Sequence, residues 1–267
     1  MTFAQLTLHT DGYLPGTRHR AHQHDELHLS LVLSGCVAET VGCDTEWAHP
    51  LSVVAKDAGV RHANDFGPDG ARMARLTLEA GTIAALVDER ARADAWRWVR
   101  GAAVARPYLS LVMRSQSGTC SFAADDPDML DLLAGMTARR APATRGSPPA
   151  WLTQVMEELR KQWHPGMSVR DVARRAGVHP VYLARCVRRW FGTGVAEELR
   201  RLRLQAAAAA LATSEDTVCS IAHAHGFADE AHLCRELRCA AGTTPGRYRS
   251  LVGSLDYTWR GRRAVRS

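Results

Sequence analysis

The sequence predicts an α+β protein in two parts: a small β unit with flanking helices, then an all-helical half of two similar helix-turn-helix units joined by one long helix. Three observations predict this. Strand-like alternation is confined to the chain before about residue 80. Residues 137–150, "TARRAPATRGSPPA", carry three prolines and a glycine without periodicity, which marks a linker or exposed loop. Beyond it strand signals vanish, and the segment 168–193 recurs in altered form at 217–243.

The first strand candidate, "LHLSLVLSG", follows a histidine-rich stretch, "HRAHQHDELH", at 19–28. Leu27, Leu29, Leu31 and Leu33 share one parity, and His22, His24, Glu26 and His28 share the other. In a continuous strand the two sets point to opposite faces. "PLSVVAK" and "ARMARLTLEA" read as further strands, divided by the turn residues "GPDG". From about Gly81 the pattern becomes helical, in "TIAALVDERARADAWRWVRGAA" and "PDMLDLLAGMTA". After the linker roughly seven helices are expected. The expected division is 1–136, the β unit with its helices; 137–150, the linker; 151–252, the helical domain; and 253–267, a basic tail.

Composition narrows the function classes. The chain has 267 residues, 46% of them hydrophobic and 23% charged, as in ordinary globular proteins. No apolar run of about 18 residues is present, so no helical membrane span is expected. The N-terminal "MTFAQLTLHTDG" lacks a basic start and an apolar core, so the chain is expected in the cytoplasm. Its seven cysteines, none in a CxxC pair, are expected there as reduced thiols. Charge is unevenly spread: residues 151–267 hold 19 Lys+Arg against 11 Asp+Glu, while residues 1–150 hold 15 against 17. A basic half beside a near-neutral half points to nucleic acid.

The repeat gives that charge a geometry. Ala173-x3-Gly177 matches Ala222-x3-Gly226, Leu183-x-Arg185 matches Leu233-x-Arg235, and Arg188 and Gly192 match Arg238 and Gly242, with one residue added in the second turn. Ser168 and Asp171 form a capping-box pattern, and Asp229 is the expected cap in the second unit. Val169, Val172, Ala173 and Ala176 fall on one helical face, Gly177 supplies the turn, and Pro180 opens the second helix. Leu183, Leu233 and Leu237 face inward while the arginines face out. This is the helix-turn-helix pattern, whose second helix enters the DNA major groove. Between the units, "VAEELRRLRLQAAAAALATS" is a strong helix former, a rod of roughly 25 Å. Recognition helices at its ends would reach successive major grooves, about 34 Å apart.

Residues 153–250 resemble the AraC/XylS family of transcription regulators. The resemblance rests on "YLARCVRRWFG", "LRRLRLQAAAAAL" and "IAHAHGFADEAHLCRELRCAAGTTPGRYR", closing on Gly242-x2-Pro245-x2-Tyr248-Arg249. Val187, Leu237 and Ala241 depart from the family's usual phenylalanines, and His179 stands where a serine cap is usual. The resemblance implies binding of double-stranded promoter DNA and contact with RNA polymerase. It implies base-reading positions at Val181, Ala184 and Arg185 and at Ala231, His232 and Arg235. Arg188 and Arg238 are expected on phosphates.

Sensor domains of this family are commonly cupin-like β-barrels, and the first half is similar to one. Gly16-x5-His22-x-His24-x3-His28-x6-Gly35 has the spacing of the first cupin motif, with His28 in place of the usual glutamate. Gly59-x2-His62 is a weaker second motif. The similarity implies a metal set of His22, His24, His28 and His62, with Glu26 in reserve, suited to Zn, Ni, Fe or Cu. A metal-free pocket for a small-molecule effector is the competing expectation, and His19 is expected to lie outside the pattern, exposed. An oxygenase-like, metal-dependent cupin enzyme fused to a DNA-binding domain is the alternative function. It leaves the tandem DNA-reading half without a role, so no enzyme activity is expected. The helices of about 81–135 are expected either to pair two copies, through Trp96, Trp98 and Val99, or to pack on the barrel.

Overall fold

The computed structural model describes residues 5–78, 96–115, 119–123, 125–137, 147–255 and 257–260. They divide into two compact units: 1–137 with 208–215 and 234–267, and 138–207 with 216–233.

The first unit is organised by a sheet. Its strands are β1 (Gln5–Tyr13), β2 (Arg18–His22), β3 (Leu27–Val41), β4 (Asp44–Ala48), β5 (Ser52–Lys56), β6 (His62–Leu78), β7 (Trp96–Arg100), β8 (Thr119–Ala123) and β9 (Thr258–Arg260). They follow the open order β7-β5-β3-β6-β1-β8, with β2 on β6, β4 on β3 and β9 on β1. All pairings are antiparallel except β9 on β1. Helices α1 (Ala102–Ser115) and α2 (Pro127–Thr137) pack on each other. The hydroxyl of fully buried Tyr108, on α1, accepts from the Leu76 amide and lies within hydrogen-bond distance of the Leu29 and Ala74 carbonyls. It thereby ties α1 to the β3–β6 seam.

The alternation read in β3 is present, but both parities are buried: Leu29, Leu31 and Leu33 on one side, His28, Ser30 and Val32 on the other. Three expectations are corrected. The histidines do not share one strand. β2 ends at His22, residues 23–26 are irregular, and β3 begins at Leu27. "GPDG" does not separate strands but lies within β6. Its flanks, Phe66 and Ala71, both pair with β3, opposite Val37 and Gly35, so the bend is absorbed as a bulge. Residues 96–100, expected in a helix, form β7 on β5. There Trp96 and Trp98 take the period of two that their spacing allows, and Trp98 is buried beside Tyr13, Val54 and Phe66. The rest of that expected helix, residues 82–95, lies outside the described residues, as do 138–146 of the linker and 261–267 of the tail.

Beyond the linker the seven expected helices are present: α3 (Ala150–Gln162), α4 (Val169–Arg175), α5 (Pro180–Phe191), α6 (Val195–Thr213), α7 (Val218–Ala224), α8 (Glu230–Ala241) and α9 (Pro245–Ser254). Leu152, Met156 and Leu159 of α3 share a core with Val172, Ala173, Leu183, Val187, Val195, Leu199 and Leu202. Among the described residues no helix is long and apolar enough to cross a membrane.

A histidine cavity and two capped helix pairs

The sheet assembles the histidines by register. His22 on β2 lies directly opposite His62 on β6, and their ring centroids are 4.4 Å apart. His24 sits in the irregular segment, where its carbonyl accepts from the Gly59 amide at 2.8 Å. That bond draws its ring to within 5.0 Å of His22 and 5.3 Å of His62. One ring nitrogen from each of the three lies within 4.8 Å of the other two. His28, the fourth expected member, is not in that group. Its ring is 4.2 Å from that of His24, and its Nε2 faces the Glu26 carboxylate at 3.7 Å. His19, expected to be exposed, is half-buried and packs edge-on against Tyr13 and Phe66.

The surroundings are charged in matched pairs. Lys56, opposite His28 in the β3–β5 ladder, sends its ammonium to Glu39 at 2.8 Å and to His62 Nε2 at 3.3 Å. Glu39 also accepts from Asn64 Nδ2 at 2.8 Å and from Trp96 Nε1 at 2.5 Å. Arg75 pairs with Asp11 at 3.1 Å. Burial lowers the His28 pKa to about 3, helped by His24 and Arg75, and lowers His24 to about 4, helped by His62 and Lys56. Burial and the Lys56 ammonium also lower His62. These three rings are therefore neutral near pH 7. The His22 and His62 Nδ1 atoms bond the carbonyls of Arg20 (2.8 Å) and Val60 (2.9 Å). A carbonyl can only accept, so Nδ1 carries the hydrogen, and in a neutral ring Nε2 keeps its lone pair. The whole lines a cavity of about 430 Å³.

In the helical half, the ends of the helices are closed by named side chains. Ser168 and Asp171 complete the capping box of α4. His179 supplies the cap of α5: its Nδ1 accepts from the Val181 amide at 3.3 Å, the role the absent serine would fill. Asp229 Oδ1 accepts from the His232 amide at 2.6 Å at the start of α8. The turns rest on Gly177 (φ +65°) and Gly226 (φ +77°), and at Gly226 a Cβ would meet the Pro165 carbonyl at 2.7 Å. The smaller residues at Val187, Leu237 and Ala241 are each fully buried, so the less aromatic core still excludes water.

Residues 172–250 match the family described as a helix-turn-helix domain. Over 103 residues the chain is 33% identical to the HTH-type transcriptional regulator GlxA of Rhizobium meliloti (strain 1021), covering 39% of this chain and 32% of GlxA. Over 143 residues it is 31% identical to the transcriptional activator NphR of a Rhodococcus species, covering 51% of this chain and 40% of NphR. Residues 172–250 form a helix-turn-helix domain. The chain thus spans about a third to two-fifths of the length of these curated relatives. The solved DNA-binding domain of AdpA, in complex with a target DNA, is 26% identical over 39% of this chain and 92% of that one, with a TM-score of 0.34.

Within the helix-turn-helix domain the expected DNA-facing residues fall on the second helix of each pair. On α5, Val181, Arg185 and Arg188 are exposed and Ala184 is half-buried. On α8, Ala231, Arg235 and Arg238 are exposed. His232 is half-buried: its Nδ1 accepts from the Ala228 amide, and its ring stands edge-on to Phe227 at 5.3 Å. It therefore braces the turn as well as standing on the outer helix. Sequence reasoning missed exposed Tyr182, which stacks on Trp151 with centroids 6.1 Å apart. It also missed Lys56 and Glu39. Lys56 is one of only two lysines in the chain and closes an apolar run, and Glu39 interrupts another, so both carried a legible signal.

Proposed function

We propose that the chain is a sequence-specific transcription regulator of the AraC/XylS type, in which α5 and α8 read successive major grooves of double-stranded promoter DNA. The observation that carries this reading is the repeated outer face. Arg185 and Arg188 are exposed above buried Leu183 and Val187, and Arg235 and Arg238 are exposed above buried Leu233 and Leu237. Arginine matches the O6/N7 edge of guanine and also holds phosphates, so Arg185 and Arg235 are assigned to bases and Arg188 and Arg238 to the backbone. Val181, Ala184 and Ala231 offer apolar contact to thymine methyls, and His232 a hydrogen bond from its outer edge.

The sheet domain is assigned as the sensor, a cupin-like pocket for a small-molecule effector, supported by the 430 Å³ cavity with its paired buried charges. Contact with RNA polymerase, pairing of two copies and a cytoplasmic location belong to the same reading, by resemblance to the AraC/XylS family. Catalysis has no part in it. The test is selection of binding sites by the full chain from a random-sequence DNA pool, followed by competition. A recovered site bound about 10³-fold or more tighter than random DNA supports the reading. Equal affinity for recovered and random DNA overturns it.

A further inference from the structure

The ammonium of Lys56 stands where a bound cation would be received. His62 Nδ1 is committed to the Val60 carbonyl, so its Nε2 lone pair points to the Lys56 Nζ, 3.3 Å away. His22 is oriented in the same way by the Arg20 carbonyl. Imidazoles whose outer nitrogen is held by a carbonyl are the common form of metal-ligating histidine, because the second bond fixes both ring and tautomer. His22, His24 and His62 come from a strand end, an irregular segment and a neighbouring strand, yet a ring nitrogen of each lies within 4.8 Å of the others. No carboxylate belongs to the trio, so the donor set suits an imidazole-preferring ion such as Zn, Ni, Co or Cu, not Ca or Mg.

We propose that His22, His24 and His62 bind a divalent transition metal, and that Lys56 is a built-in competitor for the site, bonded to His62 when metal is absent and withdrawn onto Glu39 when metal is bound. The withdrawal has a destination, since Glu39 already accepts Lys56 at 2.8 Å and is itself fixed by Asn64 and Trp96. The positive charges of Lys56 and Arg75 are each matched, by Glu39 and Asp11, which lessens their repulsion of the metal. Three nitrogen donors leave coordination positions for solvent or for a donor group of the effector. This inference rests on reading the cavity as the sensing site.

The test uses the full chain and Co²⁺ alone, followed by its visible absorption in an equilibrium titration, with each variant checked by circular dichroism melting. The wild-type chain is expected to bind one equivalent. His62→Ala and the double variant His22→Ala/His24→Ala are expected to lose at least about tenfold in affinity, whereas His28→Ala stays within about twofold. Two further variants carry opposite signs. Lys56→Met removes the competitor and is expected to tighten binding about tenfold, while Glu39→Gln removes the ammonium's retreat and is expected to weaken it. Absence of Co²⁺ binding by the wild type, full binding by the double histidine variant, or unchanged or weaker binding by folded Lys56→Met overturns the proposal. Should Lys56→Met not fold, Glu39→Gln decides, and unchanged affinity there overturns it. Binding to the selected DNA site is measured on the same preparations. A chain that binds its site but no Co²⁺ loses this inference and keeps the regulator reading; one that binds Co²⁺ but no preferred DNA loses the regulator reading.

Discussion

The hydroxyl of fully buried Tyr248 donates to the carbonyl of Leu33 at 2.5 Å. The β3–β6 register shifts between Val32 and Ser34, so Leu33 has no partner residue in that ladder. A bulge takes a residue out of the pairing, and a buried carbonyl so released needs another donor. Tyr248, near the end of the helix-turn-helix domain, supplies it. Tyr248→Phe keeps the ring and deletes the donor, and is expected to cost about 1–3 kcal/mol. Urea unfolding checks this: the midpoint should fall with the slope unchanged. An unshifted midpoint would mean that the Leu33 carbonyl is satisfied without Tyr248.

The caps make a second prediction. His179→Ala and Asp229→Ala each strip the acceptor from a helix start and should each destabilise by about 1 kcal/mol. His179→Ser should restore the bond and the stability, because a hydroxyl is an equally good N-cap acceptor. Thermal melts of the four chains give the answer, and a serine variant no better than the alanine one would remove the capping role of His179.

A third prediction concerns DNA. Arg185→Ala and Arg235→Ala should each reduce discrimination between the selected site and single-base variants by about 1–3 kcal/mol. Arg188→Ala and Arg238→Ala should weaken all sequences alike and lower the slope of log affinity against log salt by about 1 each. Titrations at three salt concentrations separate the two patterns, and a uniform effect from Arg185→Ala would reassign it to the backbone.

Acid sensitivity provides a fourth. Burial alone would raise the carboxyl of Glu198, but its bonds to Arg201 (2.6 and 2.8 Å) and Arg160 (3.1 Å) hold it at about 2. A carboxylate whose pKa is lower folded than unfolded stabilises the fold above its unfolded pKa, and that stability is lost as pH falls toward the folded value. The Glu198 contribution is therefore intact at neutral pH and fades between the ordinary carboxylate range and about pH 2. Its size is on the order of 3 kcal/mol. The stability difference between wild type and Glu198→Gln should shrink across that window, and a constant difference would contradict the assignment.

The helical half was the more legible in sequence because its rules are local. Ser168 with Asp171, Gly177, Pro180 and the leucine spacing fix a helix pair within a few residues of one another, and all fall where expected. The sheet was less legible because its partners are distant. "GPDG" has turn chemistry, but its fate depends on Phe66 and Ala71 both choosing β3. Trp96 and Trp98 fit either period, and only pairing with Lys56 and Val54 of β5 decides. The histidine spacing indicated a cluster correctly, yet the parity argument behind it assumed one strand. Register across β2 and β6 brings His22 to His62, and a single backbone bond at Gly59 brings in His24.

The bond between Tyr248 and Leu33 joins residues 215 apart, and β9 likewise returns to pair with Asp11–Tyr13 of β1. During synthesis, at about 5–20 residues per second, the Leu33 carbonyl waits roughly 10–40 s for its donor. Over that interval the Asp11–Tyr13 stretch of β1 presents an open edge of the kind that recruits other chains. That edge is closed only once residues 258–260 have been made.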